Sequence, residues 1–66
     1  MQKLLFLMNP NAGQRKVNRV LPEIISIFNE GGYEVTVFVT TGPGSGAAIV
    51  EPRARDYDLI VCAGGD

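Results

Sequence analysis

The chain has 66 residues, of which 45% are hydrophobic and 20% charged, with a net charge of −1. That length allows one small domain with a marginal core, because a chain this short buries only about 60% of the surface its unfolded form exposes. The near-neutral balance supplies no field that would draw it to nucleic acid or to an anionic membrane.

Residues 3–8 form a short run, continuously apolar after Lys3 and closed by Asn9-Pro10. Its length and the breaker predict a strand buried on both faces. The run is too short for a signal peptide and no small-residue cleavage site follows it. No run approaches the roughly 18 apolar residues of a membrane span, so the chain reads as cytoplasmic. Asn9-Pro10-Asn11-Ala12-Gly13 is the loop that follows.

Apolar residues then recur at positions 17, 20, 21, 24 and 28. That spacing predicts a helix over residues 17–29, with Ile25 and Ile27 widening the apolar stripe and Gly31-Gly32 ending it. Pro22 leaves two options: a regular helix that begins near it, or a kink there. Arg15, Lys16 and Arg19 cluster after the loop, either as the solvated first turns of the helix or as an attraction for polyphosphate.

Residues 33–40 read YEVTVFVT, a second strand of β-branched and aromatic residues. Residues 41–46 are a glycine-rich loop, and residues 47–55 a short helix weakened by Pro52. Residues 59–63, LIVCA, are a third buried-type strand, followed by Gly64-Gly65-Asp66. Cys62, the one cysteine, lies within that strand and reads as a packing residue. It has no disulfide partner, which fits a reducing compartment. The chain has no histidine, so Cys62 has no usual base and a zinc site is unsupported.

The alternation of strands and helices predicts an α/β fold, a parallel sheet of three strands with crossover helices that opens a doubly wound domain. No helix follows the last strand, so residues 1–66 are expected to be the N-terminal part of a longer nucleotide-binding domain. The uncovered third strand would offer an edge for pairing with another copy.

In an open parallel sheet, ligands bind beyond the carboxyl ends of the strands. Glycine-rich turns stand there after each strand here, which suggests phosphate or nucleotide. The Walker pattern G-x-x-x-x-G-K-[ST] is absent. A G-x-G-x-x-A match exists at Gly42, Gly44 and Ala47, with Asp66 placed as a dinucleotide fingerprint would want. Pro43 in that loop and Pro52 in its helix weigh against it.

The pair formed by Asn9-Pro10-Asn11-Ala12-Gly13 after the first strand and Gly64-Gly65-Asp66 after the third resembles the diacylglycerol kinase catalytic domain family, which includes sphingosine kinases and bacterial soluble lipid kinases. Its motifs are N-P-x-[SA]-G, matched in full, and G-G-D-G-T, matched for three residues. The resemblance covers essentially the whole chain, and the Leu21-Pro22-Glu23 step is similar to bacterial members. Gln14 stands where many members have Lys, and Gly44-Ser45-Gly46-Ala47 where Gly-Asp-Ala is common.

The resemblance implies an NAD kinase/diacylglycerol kinase-like N-terminal domain and transfer of the ATP γ-phosphate to a lipid hydroxyl such as that of diacylglycerol at a membrane surface, with Mg2+. Carried over by position, it assigns ATP contacts to Asn9, Pro10, Asn11, Ala12, Gly13, Thr40, Gly64, Gly65 and Asp66. Asp66 would hold its loop or act near magnesium. The general base and metal ligands belong to a later portion, no metal ligand is assigned within these residues, and the 66 residues alone are expected to be inactive. Each position also has a plainer reading: a turn at Asn9-Pro10, a strand residue at Thr40, a tight strand exit at Gly64-Gly65. Three other functions stay open: a kinase of a soluble acceptor, such as an NAD kinase or phosphofructokinase with its similar G-G-D-G loop; a dinucleotide-binding oxidoreductase; and a non-catalytic assembly fragment.

Overall fold

A computed structural model describes residues 1–9, 16–40 and 44–63, and for residues 16–18 the backbone only. The elements are β1 (Gln2–Met8), α1 (Lys16–Glu30), β2 (Tyr33–Val39), α2 (Ser45–Val50), a 3₁₀ helix (Glu51–Asp56) and β3 (Leu59–Ala63). The three strands form one parallel sheet in the order β2-β1-β3.

The central strand is β1, and its composition requires that position. Leu4, Leu5, Phe6, Leu7 and Met8 are the fully buried hydrophobic residues among those described. Successive side chains on a strand point to opposite faces, so an unbroken apolar run needs cover on both. One face carries Leu4, Phe6 and Met8, packed by Leu21, Ile24 and Phe28 of α1 together with Val35, Val37, Val61 and Ala63. Phe28 closes this side with rings 6.4 Å from Phe6 and 6.2 Å from Tyr33.

The opposite face holds Leu5 and Leu7, level with Thr36 and Phe38 on β2 and with Ile60 and Cys62 on β3. The α2–3₁₀ segment covers it: a Cβ on Gly46 would lie 4.0 Å from Leu7 Cδ1, and the Arg53 guanidinium stacks 4.5 Å over the Phe38 ring. The two crossovers therefore lie on opposite faces. They must, because β1 to β2 and β2 to β3 step in opposite directions along the sheet and parallel crossovers keep one hand. This is the doubly wound α/β arrangement that the strand and helix order predicts.

Several local expectations need correction. Helix α1 runs unbroken from Lys16, so it does not begin near Pro22, which sits inside it. Packing of the apolar stripe compensates for the backbone bond that proline cannot donate. Ile27 does not widen that stripe: it is 68% exposed, while Leu21, Ile24 and Phe28 face the sheet. Val20 is also exposed.

Ser45 and Gly46 belong to α2 rather than to a loop, because the left-handed turn at Gly44 (φ 78°) starts the helix earlier. The short helix expected over residues 47–55 is an α-helix that gives way to a 3₁₀ helix with Pro52 in its first turn. Strand β3 is an edge strand among the described residues, not a fully buried one, and Cys62 is exposed rather than packed.

Candidate functional site

The strand order reverses at β1. In open α/β sheets the crevice beyond the carboxyl ends of the strands at such a switch point takes the ligand. Here that point brings together Asn9, which follows β1, Thr40, which follows β2, and Ala63, which ends β3. The Asn9 N–H donates to the Ala63 carbonyl at 3.3 Å, and the Thr40 N–H donates to the Met8 carbonyl at 2.8 Å. The Thr40 hydroxyl donates to the same Met8 carbonyl at 3.3 Å. The loops that begin at Asn9 and after Ala63 thus leave the sheet from adjacent strands.

Two of the nine expected site residues, Asn9 and Thr40, lie within the described residues, and the fold brings both to this edge. Pro10, Asn11, Ala12, Gly13, Gly64, Gly65 and Asp66 lie outside them, as do Gln14 and Arg15. The chain enters each of these segments from the switch point, at Asn9 and at Ala63.

The sequence reading missed the part of α2 that flanks the site. Gly46, in the first turn of that helix, lies beside Thr40, and a Cβ there would lie 3.9 Å from Thr40 Cγ2. The signal for it was Gly44, whose positive φ favours a residue without a Cβ at the helix start.

The opposite, amino edge of the sheet is built for stability. Gly32 there ends α1 with φ 94°, and its carbonyl accepts the Gln2 N–H. Asp58 grips Lys3 twice: its carboxylate accepts the Lys3 N–H at 2.7 Å, and its own N–H donates to the Lys3 carbonyl at 2.8 Å. Asp58 therefore lies a strand length from the ligand edge. Among the described residues no three His, Cys, Asp or Glu side chains gather in a way that could hold a metal ion.

The dinucleotide pattern is poorly placed for its task. Gly42 lies outside the described residues, Gly44 and Ala47 follow the edge strand β2, and α2 has six residues. A pyrophosphate site of that kind belongs after the central strand, at the start of a full helix.

The parallel α/β sheet, with its order reversing at β1 and Asn9, Thr40 and Ala63 together at its carboxyl edge, defines the class as doubly wound α/β. Within that class the family can be stated. The model of the diacylglycerol kinase catalytic domain matches residues 3–66, and the chain belongs to that family. It is 37% identical to a diacylglycerol kinase of Staphylococcus haemolyticus, across 91% of this chain and 18% of that protein. It is 33% identical to a diacylglycerol kinase of Bacillus subtilis, across 100% of this chain and 22% of that protein. A diacylglycerol kinase of Staphylococcus carnosus is 34% identical, across 91% of this chain and 20% of that protein. The chain thus spans about a fifth of the length of the curated relatives it matches. No helix among the described residues is long and apolar enough to cross a membrane.

Proposed function

We propose that these 66 residues are the ATP-binding opening of a lipid kinase that transfers the γ-phosphate of ATP to a lipid hydroxyl, such as that of diacylglycerol. The observation that carries the reading is the Asn9 N–H bond to the Ala63 carbonyl, which makes direct neighbours of the two strand ends that the Asn9-Pro10-Asn11-Ala12-Gly13 and Gly64-Gly65-Asp66 motifs follow in sequence. The family match and the names of the relatives supply the chemistry.

Each residue has a task in this reading. Glycines 13, 64 and 65 let backbone N–H groups approach phosphate oxygens without a side chain between. Asn9 and Thr40 stand at the nucleotide edge. Asp66 would hold its loop or act near the magnesium ion that would accompany ATP. When bound, magnesium neutralises charge on the phosphates. The family resemblance assigns the acceptor lipid, the general base and further metal ligands to another part of the protein. Such catalysis consists mostly of positioning and charge stabilisation. The setting is cytoplasmic, with the lipid met at the membrane surface.

The test is a phosphoryl-transfer assay with the full-length protein, labelled ATP and diacylglycerol in mixed micelles. Label in the lipid, lost in Asp66→Asn and Gly65→Val, supports the reading. Transfer to a soluble acceptor alone would move the protein to the NAD kinase-like alternative. NADH binding without ATP binding would favour an oxidoreductase.

A further inference from the structure

One peptide unit at the switch point is held from both sides. The carbonyl of Met8 accepts two hydrogen bonds from Thr40, the N–H at 2.8 Å and the hydroxyl at 3.3 Å. The N–H of the same peptide, which belongs to Asn9, donates to Ala63 at 3.3 Å. The strand ladder alone explains the Thr40 N–H bond, since Met8 stands level with Val39. The hydroxyl is additional. A single bond to a carbonyl lets the peptide plane tilt, whereas a second donor on the same oxygen restricts that tilt. The next residue, Pro10, has no N–H to offer, and a residue before proline is confined to extended backbone. The orientation of the Met8–Asn9 peptide therefore sets where Asn9 stands at the end of β1.

We infer that Thr40 is a positioning residue: through the Met8 carbonyl it fixes the Met8–Asn9 peptide, and so the placement of Asn9 against a bound nucleoside triphosphate. This rests on the nucleotide-site reading above. It differs from direct contact with phosphate for a chemical reason. A threonine hydroxyl has one proton, and here Met8 receives it. What remains is an acceptor, which phosphate oxygens, themselves acceptors, cannot use. The Thr40 methyl meanwhile faces Gly46 of α2, with 3.9 Å from Cγ2 to a Cβ built there, so the side chain is held between the helix and the strand end.

The experiment compares Thr40→Val, which keeps the shape and loses the donor, with Thr40→Ser, which keeps the donor, in the full-length protein. Two quantities are read: amide hydrogen exchange at Asn9 without nucleotide, and KM against kcat for ATP. Loss of one long hydrogen bond, at the low end of the usual net strength, predicts exchange about twofold faster at Asn9 in Thr40→Val, with KM for ATP raised by a similar factor and kcat changed less. Thr40→Ser restores both, and exchange at the Leu5 and Phe6 amides stays slow in every variant. A raised KM with unchanged Asn9 exchange would mean direct nucleotide contact and overturn the inference, as would a serine variant that restores neither quantity. If Thr40→Val does not fold, Thr40→Ala removes the donor with less bulk and is read against serine in the same way. A wild-type protein that binds no ATP would remove the nucleotide reading, and with it the positioning role, while the exchange arm would still decide whether Thr40 holds the Asn9 peptide.

Discussion

Replacing Phe28 with alanine tests how the first crossover is held to the sheet. Phe28 packs on the Leu4, Phe6 and Met8 face, tilted against Phe6 at 6.4 Å and edge-on to Tyr33 at 6.2 Å. Truncating a fully buried phenylalanine costs about 3–5 kcal/mol. Phe28 is half-buried, which roughly halves that figure, and each aromatic pair lost adds about 0.5–1.5 kcal/mol beyond area alone. With two such pairs the expected loss is about 2.5–5.5 kcal/mol. A chain of this length has on the order of 3–10 kcal/mol in all, so the variant should lie near its unfolding midpoint at much lower urea. Ile27 is the internal control, one residue away on the same helix and 68% exposed. Ile27→Ala should fall within about 0.5 kcal/mol of the parent, helped by alanine's better helix propensity. Urea unfolding followed by circular dichroism measures both. Similar losses for the two variants, or a loss under about 1 kcal/mol at Phe28, would refute the assignment of the buried face of α1.

The amino edge of the sheet supplies two further tests. Asp58→Ala should cost about 1 kcal/mol in the same unfolding assay, because the Lys3 N–H loses its carboxylate acceptor, and Asp58→Asn should recover part of it. Gly32→Ala should cost about 1–2 kcal/mol on conformational grounds alone, because φ is 94° and no atom lies within 4 Å of the added Cβ. Gly31→Ala, without a positive φ and with ordinary contacts, should stay within about 0.5 kcal/mol. A reversed order of the two glycines would show that the turn ending α1 is misassigned.

Much of this protein was legible before any coordinates. The unbroken run LLFLM, closed by Asn9-Pro10, favoured a strand covered on both faces, and the structure makes it the centre of the sheet. The motif pair and its order were enough to state the family, which the match over residues 3–66 bears out. Local chemistry carried these conclusions: apolar periodicity, glycine where the chain turns, β-branched residues in the strands.

Tertiary structure decided what depends on neighbours. Ile27 and Cys62 looked like core residues from their apolar surroundings, yet both are exposed, because burial depends on which side of the helix meets the sheet and on how many strands flank β3. Pro22 left open whether the helix begins near it or kinks there, and packing at Leu21, Ile24 and Phe28 carries the helix through it. The strand order β2-β1-β3 was not written in any local pattern either. It follows from crossover handedness and the need to cover both faces of β1, and it is what sets Asn9, Thr40 and Ala63 side by side although they are far apart along the chain.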